Sequence, residues 1–283
     1  MTTPADPEAG RRQVRDAVLA LAAGGPSPAG RPERGATSDL SIDEALVLHS
    51  AGWEPIEFVC GAGVFSIPQG SWQWSVGEIQ AASYALESAM GSATSRLKHE
   101  CSAAGGHGIV GVRVGMSVER HAVNVVLVGT AVAPSGRPAP RGAPFASDLT
   151  GRDFALLYNA GWEPCGLAYG ASFVHVPRRG AGSALKQTTQ NVELTNFTEA
   201  MYAARESAME RMQSSALQQG AQGVVAVQVS EGPMEFAGHA VRFTAWGTAV
   251  RAAAGGHRYL KPRVSVPLDD AVAAFAAASL RGS

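Results

Sequence analysis

The stretch AGWEP at Ala51 to Pro55 returns at Ala160 to Pro164, 109 positions later. Without a gap the match reaches outward, pairing Leu48, Gly61, Ala62 and Pro68 with Leu157, Gly170, Ala171 and Pro177. Further on, ESAM occurs at Glu87 to Met90 and at Glu206 to Met209. HAV followed by GTAV spans His121 to Val132 and again His239 to Val250. The order is the same in both halves, which is the signature of a tandem duplication. The offset grows from 109 to 119 beyond Pro68 and Pro177, so the second copy carries an insertion there that includes the polar run SALKQTTQN.

Each copy opens with a helix-start signal, Ser41 to Glu44 and Thr150 to Asp153, in which a hydroxyl accepts from a free N–H of the first turn. A short helix follows, with Leu46, Leu48 and His49 or Leu156, Leu157 and Tyr158, and stops at Gly52 or Gly161, where the left-handed conformation costs glycine little. Trp53 and Trp162 come next and read as anchors holding that helix on a sheet. Pro55 and Pro164 begin an extended run whose Gly61 and Gly170 mark a bulge or a close backbone approach. The main helix of copy one places Ile79, Ala82, Leu86, Ala89, Ala93 and Leu97 on one face. Copy two does so with Phe197, Met201, Ala204, Ala208 and Met212. Counted from the ESAM match to the glycine turns at Gly105 and Gly220, the first helix is expected to be one turn longer.

Two strands close each copy. Val110, Val112 and Val114, and likewise Val225, Val227 and Val229, alternate as half-buried strands do. In the last strand of copy one, Val126 and Val128 make the outer side apolar as well, which predicts cover on both faces. The fold class is therefore α+β: two tandem modules, each a short helix, a strand, a long helix packed on an antiparallel sheet, and two closing strands. They occupy residues 41–132 and 148–251. Residues 133–147, rich in Pro, Gly and Ala, read as a flexible tether. Residues 1–40 read as a mostly disordered tail with a weak helix in RRQVRDAVLALAA, and residues 252–283 as a second tail.

A net charge of -1 and scattered basic residues exclude a nucleic-acid-binding face built on clustered cations. No apolar run reaches the length of a membrane span, and no secretory signal opens the chain, so a cytoplasmic protein is expected. Cys60, Cys101 and Cys165 are odd in number and lack CxxC spacing, which speaks against a disulfide framework or a thiolate zinc site.

The helix ARESAMERM, the glycine-bounded turn, the strand GVVAVQV and the closing GTAV together resemble the YbjQ family, named for heavy-metal binding. The resemblance covers residues 41–132 and 148–251. It implies a dodecin-like fold whose subunits assemble through their sheets, commonly as rings of five, and it implies a metal ion as ligand.

Candidate metal ligands follow from that implication. His121 and His239 are the one histidine pair shared by both copies. His99, Cys101 and His107 form the densest donor cluster, although adjacent helix residues point about 100° apart. A site of three or four N or S donors for a divalent transition metal cannot be composed within one repeat. Surface histidines and a solvated helix end are the competing readings. Trp72 and Trp74, in SWQWS, are candidates for stacking a planar small molecule, against ordinary packing. Cys60 reads as a buried structural thiol. Glu87 and Glu206, shared carboxylates of the main helix, read as surface or interface groups. Catalytic motifs are absent from the sequence. The expectation is a non-enzymatic homo-oligomer, binding a heavy metal, or else a structural scaffold or a binder of a planar ligand, with neither nucleic acid nor membrane as partner.

Overall fold

The computed structural model describes residues 37–73, 75–136, 142–177 and 195–255. The weak N-terminal helix, the insertion SALKQTTQN, Trp74 and nearly all of the C-terminal tail lie outside the described residues. Module one consists of α1 (Ile42–Ser50), β1 (Trp53–Ser66), α2 (Gln80–Ala103), β2 (Gly108–Val118) and β3 (Ala122–Pro134). After a short strand β4 (Phe145–Ala146), module two repeats the order as α3 (Gly151–Asn159), β5 (Trp162–His175), α4 (Thr195–Gln218), β6 (Gly223–Met234) and β7 (Ala237–Ala252). The duplicated α+β architecture is the one expected.

Local chemistry sets the ends of the helices. At α1 the Glu44 N–H donates to Ser41 Oγ at 3.4 Å while the Ser41 N–H donates to Glu44 Oε2 at 2.9 Å. At α3 the Asp153 N–H donates to Thr150 Oγ1 at 3.1 Å. Gly105 and Gly220 terminate α2 and α4 at φ of 82° and 72°. The next N–H, of Gly106 or Ala221, donates back to the carbonyl of Cys101 or Ala216 at 2.8 and 3.1 Å.

The two long helices do not correspond as the ESAM match implies. Both are 24 residues long and their ends stand 115 positions apart, not 119. The buried stripe of Ala85, Ala89, Ala93, Leu97 and Cys101 in α2 is matched at that spacing by Ala200, Ala204, Ala208, Met212 and Ala216 in α4. Arg96 donates to the Ala62 carbonyl and Arg211, 115 positions on, donates to the Ala171 carbonyl. The first helix does run one turn further past its ESAM. The second begins one turn earlier, so the expected difference in length vanishes. Helix register is governed by contact with the strand beneath: a Cβ on Gly61 would lie 2.2 Å from the Ala93 carbonyl oxygen, and one on Gly170 2.1 Å from that of Ala208. The close backbone approach expected at these glycines is present, and the small helix residues above them permit it.

Sheet one has the order β1-β3-β2-β4 and sheet two β5-β7-β6. β3 and β7 are central and pair antiparallel on both sides, with Gly61 opposite Leu127 and Gly170 opposite Ala245. Bulges fall after Pro55 and Pro164, where the edge strands tolerate a residue without an N–H. A second pair of bulges interrupts β2 and β6 between Val110 and Arg113 and between Val225 and Gln228. There Gly111 has φ of 66°, and module two puts Ala226 in the same left-handed conformation at φ of 54°.

Two burial expectations are corrected. Val126 and Val128, expected to be covered, are only half-buried on the outer face of sheet one. Val227 and Val229 are exposed on β6, an edge strand, whereas Val112 on β2 is buried.

The segment read as a tether is tied down at both of its described ends. β3 runs to Pro134, and Phe145–Ala146 pairs in parallel with Gly108 and Ile109 of β2. Ser147 continues the contact, its N–H donating to the Ile109 carbonyl at 2.9 Å while its own carbonyl accepts from Val112 at 3.0 Å. The modules consequently share a core. Helix α2 rests on β1 and β3 with one face and on β5 with another, so residues of both modules belong to one apolar cluster around it.

Candidate functional site

The residues singled out for metal do not converge. His121 is exposed in the turn before β3, and its carbonyl accepts from the Ile67 N–H. His239, at the same place in module two, is half-buried, and its Nε2 donates to the Trp72 carbonyl at 2.8 Å. The His239 ring lies parallel to that of His175, with centroids 5.6 Å apart. Burial and the neighbouring His239 hold the His175 imidazole below its ordinary pKa, which favours the neutral ring. Cys101 is fully buried under the end of α2. Its Sγ lies 3.4 Å from the Gly108 carbonyl, and burial pushes the thiol up to about 11. His99, two positions away, is exposed, and His107 sits half-buried in the turn beyond. These three side chains thus occupy separate surroundings and do not fit a common ion. Among the described residues no group of three or more His, Cys, Asp or Glu side chains is arranged to hold a metal.

Trp72, a candidate for stacking a planar small molecule, is buried against the protein itself. Its indole N–H donates to the Arg120 carbonyl at 2.7 Å, and its ring meets Phe173 and Phe236 edge-on at 5.9 and 4.9 Å. Both phenylalanines belong to module two, so this tryptophan packs across the joint. Trp53 does the same on the other side, edge-on to Phe145, Phe154 and Tyr158. It anchors the helix of the following module rather than α1 alone. Cys60, expected to be buried, faces outward on the exposed side of sheet one.

The arrangement that stands out is the joint itself. Arg211 of α4 forms an ion pair with Glu78, just ahead of α2, at 2.5 Å, and its Nε lies 3.6 Å from Glu87. Glu78 also accepts from Ser83 Oγ at 2.7 Å and from Ser172 Oγ at 3.0 Å. Burial raises the pKa of Glu78, but Arg211 and these hydroxyls outweigh it and hold the carboxyl below its ordinary range. Burial dominates at Glu87 and raises its pKa. The result is a polar latch set among apolar contacts between α2 and the outer face of sheet two.

A second polar device occurs once per module. Asp39 and Asp148 each accept from a threonine on the central strand, Thr130 and Thr248, at 2.5 Å. Ser38 and Ser147 bond the same hydroxyls at 3.2 and 2.9 Å. Asp39 has an ion pair with Arg113 at 2.8 Å; at the matching place Asp148 has Gln228 at 3.3 Å. Without a cation, burial raises the Asp148 pKa. A cavity of about 290 Å³ lies between these two devices, lined among others by Asp39, Glu44, Arg113, Asp148, Gln228 and Trp246. Motif reading centred on helices passes over these residues. The tetrapeptides SDLS at Ser38 to Ser41 and SDLT at Ser147 to Thr150 are the signal, since they extend the 109-residue offset ahead of both helix caps.

Comparison with known proteins decides the family. A family model described as "Putative heavy-metal-binding" matches twice, over residues 64–135 and 179–253. The chain belongs to the YbjQ family. The two matches reproduce the duplication read from AGWEP, and they leave α1 and α3 outside the YbjQ spans. A relative from Mycobacterium tuberculosis strain H37Rv, named "Encapsulin nanocompartment protein Rv1762c", is 36% identical over 245 residues. That alignment covers 84% of this YbjQ chain and 93% of the relative. Among the described residues no helix is long and apolar enough to cross a membrane.

Proposed function

We propose that this chain is a non-catalytic building block that associates with further copies of itself. One observation carries the reading: the outer faces of its two sheets carry matching apolar residues under unequal cover. On sheet one Phe58 and Val64 are 37% and 64% exposed, whereas their counterparts on sheet two, Leu167 and Phe173, are 2% and 0% exposed. Sheet two gains that cover from α2 of module one. Apolar surface left in water costs about 25 cal/mol per Å², and a contiguous exposed patch marks a surface that another protein covers. The name of the mycobacterial relative, a protein of an encapsulin nanocompartment, supports a role in assembly. Sedimentation of the full-length untagged chain tests the reading. A mass at a multiple of 29.2 kDa is expected at micromolar concentration, and a monomer throughout that range would overturn it.

A further inference from the structure

The Asp39 and Asp148 devices are copies of one another with one partner exchanged. Asp148 follows Asp39 by 109 positions, and Gln228 follows Arg113 by 115, the offset that separates β6 from β2. In module one the guanidinium completes the device, with Arg113 Nη2 2.8 Å from Asp39 Oδ2. In module two Gln228 supplies only a neutral amide, its Nε2 3.3 Å from Asp148 Oδ2, while Asp148 Oδ1 accepts from Thr248 Oγ1 at 2.5 Å. Among the described residues no cation pairs with Asp148, although the residue is only 9% exposed. A carboxylate withdrawn from water this far is ordinarily given a cation.

A second unmet group shares the face. Gln228 and Trp246 are opposite one another in the β6–β7 ladder, so both side chains leave the same side of sheet two, and both line the cavity beside Asp148. Trp246 is 8% exposed, and its indole N–H is buried with no hydrogen-bond partner among the described residues. Such a donor calls for an acceptor. The other two carboxylates at the cavity are already provided for: Asp39 has Arg113, and Glu44 Oε2 accepts from the N–H and Oγ of Ser41 at 2.9 and 2.8 Å. What the cavity leaves open is one carboxylate without a cation and one N–H without an acceptor. Its volume of about 290 Å³ lies at the small end of ligand pockets, which suits a molecule of few atoms.

We infer that this cavity binds a small organic molecule carrying a guanidinium group, which stands to Asp148 as Arg113 stands to Asp39, and an oxygen that accepts from the Trp246 indole N–H. The duplication itself names the cation, since module one shows which group completes an aspartate in these surroundings. Each Asp148 oxygen accepts one side-chain hydrogen bond and has a lone pair left for a second, and a planar guanidinium offers two parallel donors. The site does not depend on the self-association proposed above.

Titration calorimetry on the full-length chain tests it with three probes. γ-Guanidinobutyramide carries both groups; γ-ureidobutyramide has the same shape with an uncharged urea; butylguanidinium lacks the carbonyl oxygen. The first is expected to bind with a dissociation constant of about 1 mM or tighter, and the urea about tenfold more weakly, for want of a charge-assisted bond to Asp148. Butylguanidinium is expected to bind about threefold to tenfold more weakly than the first probe. Asp148→Asn should erase the preference for guanidinium over urea, and Trp246→Phe the preference for the amide over butylguanidinium. Each ratio reports one contact, which a general loosening of the fold does not imitate. Equal affinity for guanidinium and urea, or no binding up to about 10 mM, overturns the inference. Should Asp148→Asn fail to fold, Arg113→Gln replaces it, since that side chain is 64% exposed. Asp39 then loses its cation at the same cavity, and γ-guanidinobutyramide is expected to bind about threefold more tightly while the urea is unchanged. Weaker binding of the guanidinium probe by that variant also overturns the inference.

Discussion

Arg211 of the second module grips Glu78 of the first, with Nη2 2.8 Å from Oε2 and Nη1 2.5 Å from Oε1, across a separation of 133 residues. The same guanidinium donates to the Ala171 carbonyl, so one side chain ties its own strand to the neighbouring module. Both partners are partly shielded from water, which places the pair between an exposed ion pair and a fully buried one. Arg211→Ala is expected to lower unfolding stability by about 2 kcal/mol. Arg211→Lys should recover little, because an ammonium cannot make the two-pronged contact. Urea unfolding of both variants checks this.

Gly170 lies under α4 so closely that any Cβ meets the helix backbone at 2.1 Å. Backbone cannot give way as a side-chain tip does, so Gly170→Ala must lift the helix from the strand. A loss of about 1–3 kcal/mol is expected. Gly220→Asn, at a helix end with φ of 72° and open space around it, should cost much less. Equal losses in thermal unfolding of the two variants would contradict this account.

Thr248 and Thr130 hold their aspartates in the same way, but only Asp39 also has a cation. Thr248→Val leaves the buried Asp148 with Gln228 and should cost about 1–3 kcal/mol, the range for a buried polar group that loses its partner. Thr130→Val should cost less, since Arg113 still pairs with Asp39. Denaturant midpoints of the two variants rank them directly.

His175 is buried against His239, and its pKa lies below the ordinary histidine value. The unfolded chain therefore takes up a proton near pH 6.5 that the folded chain resists, and stability falls as pH drops through about 6.5 toward the folded pKa. Above that window the effect is absent. His175→Gln should flatten this part of the stability profile, measured between pH 8 and pH 5.

The scattered donors His99, Cys101, His107, His121 and His239 give a prediction about metal. Protein purified without an affinity tag should carry less than about 0.1 equivalent of any transition metal, and added zinc or copper should leave the melting temperature unchanged. Elemental analysis with a melting series checks both. A stoichiometric ion would show that donors from separate chains converge.

What the sequence by itself determined is whatever one or two turns of chain encode. The Ser41 and Thr150 caps, the stops at Gly52 and Gly161, the glycine turns at Gly105 and Gly220 and the duplication all depend on neighbouring residues, so local pattern reveals them. The candidate site was legible only in part. SDLS and SDLT were there to be paired, but Trp72, Cys60 and the histidines could not be placed by spacing alone. Only the tertiary structure decided the helix register, because close packing over Gly61 and Gly170 outweighs the identity of two ESAM tetrapeptides. It also decided the joint. Arg211 and Glu78 meet because a folded sheet offers its outer face to a helix from another module, and burying that apolar surface is a long-range gain that no local pattern records.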